Sequence, residues 1–247
     1  MFKQKKILLI AILLFSIELI FAFQFEPIIQ DFAPSGINSR RSFQVINSSD
    51  VPIAVKVSMV NRNVDLYGKE ELTDASELFF VFPKQFVVPA QSTQAVRVQW
   101  LGKEYTDIEL PFRIIAEQLP VNVNRDESGV TILLAYHGSV YVVPEEFRFG
   151  IRVNDVYKGT DKDGNEALLI ELENTGNTHM ILEDPVITLT KKTLLGGGDT
   201  IALEGEELAG LINQNILAGK RRVFTVPWPE RLTFGELDAT ISLEPNR

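Results

Sequence analysis

Along most of the chain, apolar and polar residues alternate at a spacing of two, the pattern of half-buried β-strands. In the first half this predicts strands over residues 42–47, 51–60, 79–88, 94–101, 111–119 and 130–144. Pro83 interrupts the third strand. Residues 47–50, Asn-Ser-Ser-Asp, are of the types that form turns, and residues 61–78 are predicted to be a loop with a short strand. About seven strands in roughly 120 residues, without a convincing helix, indicate a β-sandwich of the immunoglobulin kind.

The segment 130–144 is the longest and most apolar of these strands, and it ends on Pro144. Val130, Ile132 and Leu134 share one face of the predicted strand, and the opposite face is also mostly apolar. An exposed apolar edge strand of this length would be an aggregation hazard. The strand is therefore either buried in the protein's own core or carries a face reserved for a partner.

A second all-β unit follows a charged connector at residues 145–150. Strands are predicted at residues 151–157, 167–173, 179–182, 186–190, 223–226 and 237–243, with turns at 162–165 and 174–177 and a loop at 194–198. The expected organisation is a first domain over residues 23–145 and a second over residues 146–247.

The first 22 residues have the pattern of a secretory signal. Lys3, Lys5 and Lys6 precede an apolar run at residues 7–21, and Ala22 is a small residue suited to cleavage. Glu18 within the run argues against the alternative, an uncleaved anchor helix. Removing three lysines and one glutamate with residues 1–22 changes the formal net charge from −9 to −11. We expect an exported, acidic protein without a stable membrane anchor.

The composition of the chain argues against several kinds of partner and functional site. A pI near 4.9 argues against nucleic acid as a partner, since such binding requires a basic surface. The absence of cysteine excludes disulfides, thiol nucleophiles and thiolate metal sites. His137 and His179, the only histidines, lie in different predicted domains and have no neighbouring histidine at a metal-site spacing, and His137 is expected to be a packed or surface side chain. Residues 161–164 are expected to form a hairpin turn instead of a calcium loop. We expect no catalytic site, metal or cofactor.

Several segments, in order, resemble the periplasmic pilus-assembly chaperones. Residues 43–59, FQVINSSDVPIAVKVSM, are similar to the N-terminal domain of that family, and the likeness continues through 80–98, the 107–120 segment and VYVVP at 140–144. Within the 107–120 segment, Asp107, Glu109, Phe112 and Pro120 match the family's pattern, whereas Ile108 stands where the family usually has an arginine. Residues 173–179, ENTGNTH, look like the family's Asn-x-Gly-Asn turn, and residues 217–227 resemble its late strand pair.

The resemblance implies two immunoglobulin-like β-sandwich domains in an L-shaped arrangement, acting in the periplasm without ATP. Such chaperones bind pilus or fimbrial subunits by lending an apolar strand to the subunit's open core, and an outer-membrane usher can be a second partner. By position, Val130, Ile132 and Leu134 match the family's donor residues. Each buried side chain would contribute about 1.5–3 kcal/mol.

One family feature is missing. The resemblance implies a basic pair that anchors the subunit's C-terminal carboxylate, but Asp31 and Ser139 occupy its two positions. Neither side chain can pair with a carboxylate as a guanidinium or ammonium group does. Arg40, Arg41 and Arg113 are candidate replacements, for which the sequence gives no geometric support.

Two functions therefore stay open at the level of sequence. The first is a chaperone that binds exported subunits transiently. The second is a secreted structural or adhesive β-sandwich protein that has the chaperone-like fold but assembles with itself or binds another stable partner. The segment 130–134 discriminates between them, because only the chaperone needs these side chains for another protein's core.

Overall fold

The computed structural model of the chain describes residues 23–120, 132–192, 198–232 and 235–243. The predicted signal at 1–22, Val130, most of the polar loop at 120–129 and most of the 194–198 loop lie outside the described residues. The described part contains 18 strands and two short 3-10 helices, Ile37–Ser39 and Gly205–Leu208, but no α-helix. The predicted all-β fold class is confirmed.

Ten strands form the first half of the molecule. They are β1 (Gln24–Glu26), β2 (Ile29–Phe32), β3 (Arg40–Asn47), β4 (Ile53–Val64), β5 (Glu70–Asp74), β6 (Phe79–Phe82), β7 (Gln85–Val88), β8 (Ser92–Trp100), β9 (Leu110–Leu119) and β10 (Ala135–Val142). One sheet has the order β1-β3-β8-β6. The other has the order β2-β10-β9-β4-β5, and β7 also pairs with β4.

The two sheets enclose one core, because alternate residues of each strand point between them. Phe43 and Val98 from one sheet, and Ile114 and Val140 from the other, are buried almost completely. Phe79 lies among several rings, with centroids 5.9 Å from Phe32, 5.1 Å from Trp100 and 4.9 Å from Phe112. This edge-to-face packing adds to the stabilisation from burial.

The predicted turn after β3 is fastened by a buried side chain. The Asn47 amide nitrogen donates to the carbonyl oxygens of Val51, Val88 and Pro89 at 2.8–3.2 Å. Its side-chain oxygen accepts from the Ser49 backbone N–H at 3.0 Å. Asn47 therefore satisfies backbone groups of the turn after β3 and of the end of β7.

Eight strands form the second half. They are β11 (Ile151–Thr160), β12 (Glu166–Asn174), β13 (Met180–Ile181), β14 (Pro185–Lys191), β15 (Thr200–Leu203), β16 (Asn215–Ile216), β17 (Arg221–Pro227) and β18 (Leu237–Leu243). The sheets are β11-β12-β17, β13-β16 and β15-β14-β18. A separate core, which includes Leu168, Ile170, Leu189 and Phe224, lies between them.

The largest correction concerns the predicted strand at residues 130–144. In the structure β10 begins only at Ala135, and residues 132–134 are not in a strand. Ala135 pairs with Glu117 and β9 ends two residues later at Leu119, so in this register Ile132 lies beyond the end of the neighbouring strand. A single further backbone bond, from Gln118 N–H to the Leu134 carbonyl at 2.9 Å, continues the ladder.

Two short strands at the start of the fold were missed by the alternation pattern. β1 pairs with β3, and β2 pairs with β10 in the parallel direction. Strands of three and four residues carry too few positions for a period of two to be recognised. Their pairing depends on partners that are distant in the sequence.

Candidate functional site

The first half of β10 has an open edge. On one side, all of β10 pairs with β9 in the antiparallel direction. On the other side, β2 pairs only with residues 139–142. Within the described part of the chain, residues 135–138 thus have a strand neighbour on one side only. Their outer backbone groups are available to another strand.

The segment that precedes this open edge is apolar and accessible. The Ile132 side chain is 74% exposed and that of Leu133 is 44% exposed, whereas Leu134 is half-buried and packs against the first core. Counting back from β10 at a spacing of two, Ile132 and Leu134 continue the series of core-facing residues that includes Val140. Ile132 is thus the described member of this series that lies beyond the protein's own core.

A cluster of charged side chains lies on the other face of the same sheet. Arg113 of β9 is directly opposite Ser139 of β10, and its Nη1 donates to the Ser139 hydroxyl at 2.6 Å. Its Nη2 and Nε donate to the two oxygens of Glu70, at 2.5 Å and 3.3 Å. Arg62 of β4 also donates to Glu70, from Nε at 2.7 Å. We call Arg62, Arg113 and Glu70 the arginine cluster.

The pKa of the Glu70 carboxyl reflects these contacts. Partial burial acts to raise the pKa, but the hydrogen bond from Arg113 and the charges of Arg62 and Arg113 outweigh it. The pKa is therefore below its ordinary value. Glu70 is ionised at neutral pH and occupies both guanidinium groups.

Tyr141 connects the arginine cluster to the second half of the molecule. Its hydroxyl accepts from Arg62 Nη1 at 3.1 Å and from the Asn215 amide at 3.0 Å. Its ring, 2% exposed, packs with Val64 and Leu217 in a small third core. Tyr141 lies on the outward face of β10 and is buried between Val64 of the first half and Leu217 of the second.

The tip of the hairpin between β4 and β5 also reaches the second half. The Val223 N–H donates to the Leu66 carbonyl at 2.7 Å. Gly68 has a φ of +88°, and a Cβ atom there would lie 2.2 Å from Arg222 Nη2. A side chain at position 68 is therefore disfavoured by the positive φ, and it would also require the Arg222 guanidinium group to move.

A buried carboxylate and a histidine form another contact between the halves. Both oxygens of Glu109 lie 2.9 Å from His179 Nδ1, and one also accepts the His179 N–H at 3.1 Å. The His179 ring stacks on Tyr141 with centroids 4.0 Å apart. His179 is thus a packed side chain, whereas His137 is exposed on β10, which is one of the two environments expected for it.

Asp31, at the first position of the missing basic pair, lies near this contact. Loss of surrounding water raises the pKa of its carboxyl above the ordinary value. His179 and Arg41 act to lower that pKa, and Glu109 acts to raise it. An acidic group here makes this end of β2 unsuitable for a second carboxylate.

The predicted Asn-x-Gly-Asn turn forms a further contact between the halves. The Asn177 amide nitrogen donates to the carbonyls of Asp107 at 3.0 Å and Glu146 at 2.8 Å, and its oxygen accepts the Arg148 N–H at 2.7 Å. A Cβ atom on Gly176 would lie 2.3 Å from the Arg148 carbonyl oxygen. The turn thus binds both the 107–109 loop and the connector between the halves.

The three candidate anchor arginines do not form one site. Arg40 is exposed on β3, in the other sheet of the first sandwich. Arg41 donates from Nε to the Asp31 carbonyl at 2.8 Å and from Nη1 to Asn38 at 3.1 Å. Arg41 thus contacts the backbone of the first position of the missing pair, whereas Arg113 contacts the side chain of Ser139, the second position.

Sequence reasoning missed Arg62 and Glu70. Both lie in or beside the segment predicted as mostly loop, and their side chains meet Arg113 only through the pairing of β4 with β5 and β9. In the part of the chain that the structure describes, no cluster of His, Asp and Glu could hold a metal ion. The same part contains no helix long and apolar enough to cross a membrane.

Residues 35–147 match the family model for the N-terminal domain of pili and flagellar-assembly chaperones, PapD type. No curated protein sequence matches the chain. A chain of the complex between the chaperone CsuC and the tip adhesion subunit CsuE, from Csu pili of Acinetobacter baumannii, superposes with a TM-score of 0.59 at 13% identity. The match covers 88% of this chain and 97% of that one.

Two further chaperone structures are similar over most of their length. The class 5 fimbriae chaperone CfaA gives a TM-score of 0.55 at 16% identity, with 91% of this chain and 100% of that chain covered. The Escherichia coli chaperone DraB gives 0.52 at 18% identity, with 84% and 85% covered. These likenesses confirm the predicted two-domain immunoglobulin-like fold.

Proposed function

We propose that the chain is a pilus-assembly chaperone, whose residues 35–147 match the N-terminal domain model of the pili and flagellar-assembly chaperones, and that it binds and stabilises exported pilus or fimbrial subunits. The site of action is the periplasm, which the signal pattern at residues 1–22 supports. A chaperone–subunit complex such as CsuC–CsuE, among the similar structures, supports subunits as the class of partner. An outer-membrane usher is a proposed second partner.

The observation that carries this proposal is the exposed apolar segment beside the open edge of β10. Binding by strand addition uses unpaired backbone groups for affinity and alternate side chains for specificity. Residues 135–138 offer the backbone groups, and Ile132 and Leu134 offer side chains at the required spacing. Together with Val130, these two residues are the proposed donor residues.

The proposed anchor for the subunit's terminal carboxylate is Arg113. Its guanidinium group reaches Ser139, where a basic residue of the last strand is expected, from the neighbouring strand β9. A guanidinium fork can bind a carboxylate through two parallel hydrogen bonds. Arg40 and Arg41 are not needed for this role.

The proposal is tested by recovering the tagged protein from the periplasm of its own host and identifying co-eluting proteins by mass spectrometry. We expect a small exported β-protein with the wild type and its loss with Ile132→Asp. Leu133→Asp is the matched control, because it introduces the same charge at the adjacent position on the other face. This variant should retain the partner.

Equal recovery of the partner with both variants would contradict strand donation through Ile132. Self-association of the wild type into polymers, without any subunit, would instead support the structural or adhesive function. Thermal unfolding of each variant separates a lost interaction from a lost fold.

A further inference from the structure

Both guanidinium groups of the arginine cluster are already occupied by a carboxylate of the same chain. Glu70 receives bonds from Arg113 Nη2 at 2.5 Å, Arg62 Nε at 2.7 Å and Arg113 Nε at 3.3 Å. Arg113 uses its remaining nitrogen, Nη1, for Ser139. Every nitrogen of the proposed anchor is therefore engaged within the free protein.

The two arginines are also held by contacts that do not involve Glu70. Arg62 donates to the Tyr141 hydroxyl at 3.1 Å, and Arg113 donates to the Ser139 hydroxyl at 2.6 Å. Their side chains are only 9% and 17% exposed. Removing the Glu70 carboxylate would leave two positioned guanidinium groups, which is the chemistry that binds another carboxylate.

Glu70 is the most accessible member of the cluster and lies on its least enclosed element. Its side chain is 30% exposed, and it begins β5, the edge strand of the six-stranded sheet. Exposed edge elements open at lower free energy than central strands. Displacement of Glu70 is therefore easier than displacement of either arginine.

A third guanidinium group, that of Arg222, lies near the arginine cluster. The pKa of Arg222 is lowered, mainly because the side chain is partly buried and to a smaller extent because the positive charge of Arg62 is close. Asp65 and Glu70 act to raise that pKa and are its neighbouring carboxylates. Arg222 is thus a further positive charge that favours the approach of a carboxylate, whereas Asp31 and Glu109, near Tyr141, oppose it.

We propose that Glu70 is an internal competitor that occupies Arg62 and Arg113 in the free protein, and that the C-terminal carboxylate of an extended peptide displaces it on binding. This inference rests on the proposed function, because it deepens the role given to Arg113. Glu70 then sets the affinity for the terminal carboxylate. It satisfies the arginines when no subunit is bound, and because a subunit's carboxylate has to displace it, it makes that binding weaker.

The test is fluorescence anisotropy on the full chain with a labelled peptide of alternating threonine and valine. One form has a free C-terminal carboxylate, and its twin has a C-terminal amide. We expect Glu70→Gln to strengthen binding of the carboxylate form about fivefold to tenfold, since an uncharged side chain competes less for guanidinium groups. The amide form should bind Glu70→Gln and the wild type equally.

Glu71→Gln is the matched control, because it removes the same charge from the next residue of β5 and should change neither affinity. Adding Arg113→Gln to Glu70→Gln should abolish the preference for the carboxylate form. Unchanged or weaker carboxylate binding by Glu70→Gln, including no binding at all, would overturn the proposal. The recovery experiment with Ile132→Asp does not involve Glu70 and decides the chaperone function separately.

Discussion

The two ends of β10 differ in what covers them. At its C-terminal end, residues 139–142 have strand neighbours on both sides, and Val140, Tyr141 and Val142 are buried. At its N-terminal end, residues 135–138 have one strand neighbour among the described residues, and the preceding Ile132 is 74% exposed. One end of the strand stabilises the fold, and the other is available to a partner.

This difference explains why the apolar excess of the segment does not identify its own use. An apolar residue in a strand stabilises whichever core encloses it. Val140 meets the opposite sheet of its own sandwich, whereas Ile132 extends past the end of β9 and finds no such cover in the described structure. The same chemistry thus has an intramolecular role at one end and a proposed intermolecular role at the other.

The largest expected effect tests the comparison directly. Val140→Asp should cost several kcal/mol, because it buries a carboxylate without a partner, and this is a large part of the 5–15 kcal/mol that stabilises a typical domain. Ile132→Asp should change the free energy of unfolding by less than about 0.5 kcal/mol, since its side chain is exposed. Urea unfolding measures both. A similar loss for the two variants would assign Ile132 to the protein's own core.

A smaller effect is expected from Tyr141→Phe at the buried end. The change keeps the ring on His179 but removes the acceptor of Arg62 and Asn215. Leaving these donors unpaired should lower the free energy of unfolding by about 1–3 kcal/mol. Tyr67→Phe is the control in the same urea experiment, because Tyr67 is 71% exposed. An equal effect of both changes would mean that the hydrogen bonds of the Tyr141 hydroxyl to Arg62 and Asn215 contribute little to stability.

The smallest effects concern the two carboxylates near Tyr141, whose pKa values move in opposite directions. Because folding lowers the pKa of Glu70, this carboxylate stabilises the fold at every pH above its ordinary pKa of 4.5. The contribution is lost as the pH falls through the folded-state pKa. Glu70→Gln should therefore be less stable than the wild type at pH 7, with the difference disappearing in acid.

The raised pKa of Asp31 has the opposite effect on stability. It costs stability above the folded-state pKa, and the cost is absent below the ordinary value of 3.8. Asp31→Asn should therefore be more stable than the wild type at pH 7 and equal to it near pH 3.5. Thermal unfolding across this pH range measures both variants. Differences that do not change with pH would indicate effects of shape instead of charge.

Local patterns in the sequence predicted much of the fold. Strands of seven or more residues, such as β4, β8 and β12, were found because their alternation repeats often enough to be recognised. The turns at Asn47 and Asn174 were found because asparagine bonds to nearby backbone groups. The short strands β1 and β2 were missed, since their pairing is entirely long-range.

The candidate site was predicted only in part, for the same reason. The excess of apolar residues at 130–134 is a local property and was visible in the sequence. The environment of Arg113 was not, because Ser139, Glu70 and Arg62 come from three other parts of the chain. The position of an arginine in the sequence does not indicate which distant carboxylate it will contact in the fold.

The sequence by itself determined the β-class of the fold, the alternation of β10 and the absence of thiol chemistry, since these follow from residue types and short spacings. The tertiary structure decided where β10 stops being covered and which carboxylate occupies Arg62 and Arg113. Coverage depends on where β9 and β2 end, and the ion pairs depend on the register of β4, β5 and β9. Both are relations between distant segments, which exist only once the sheets have formed.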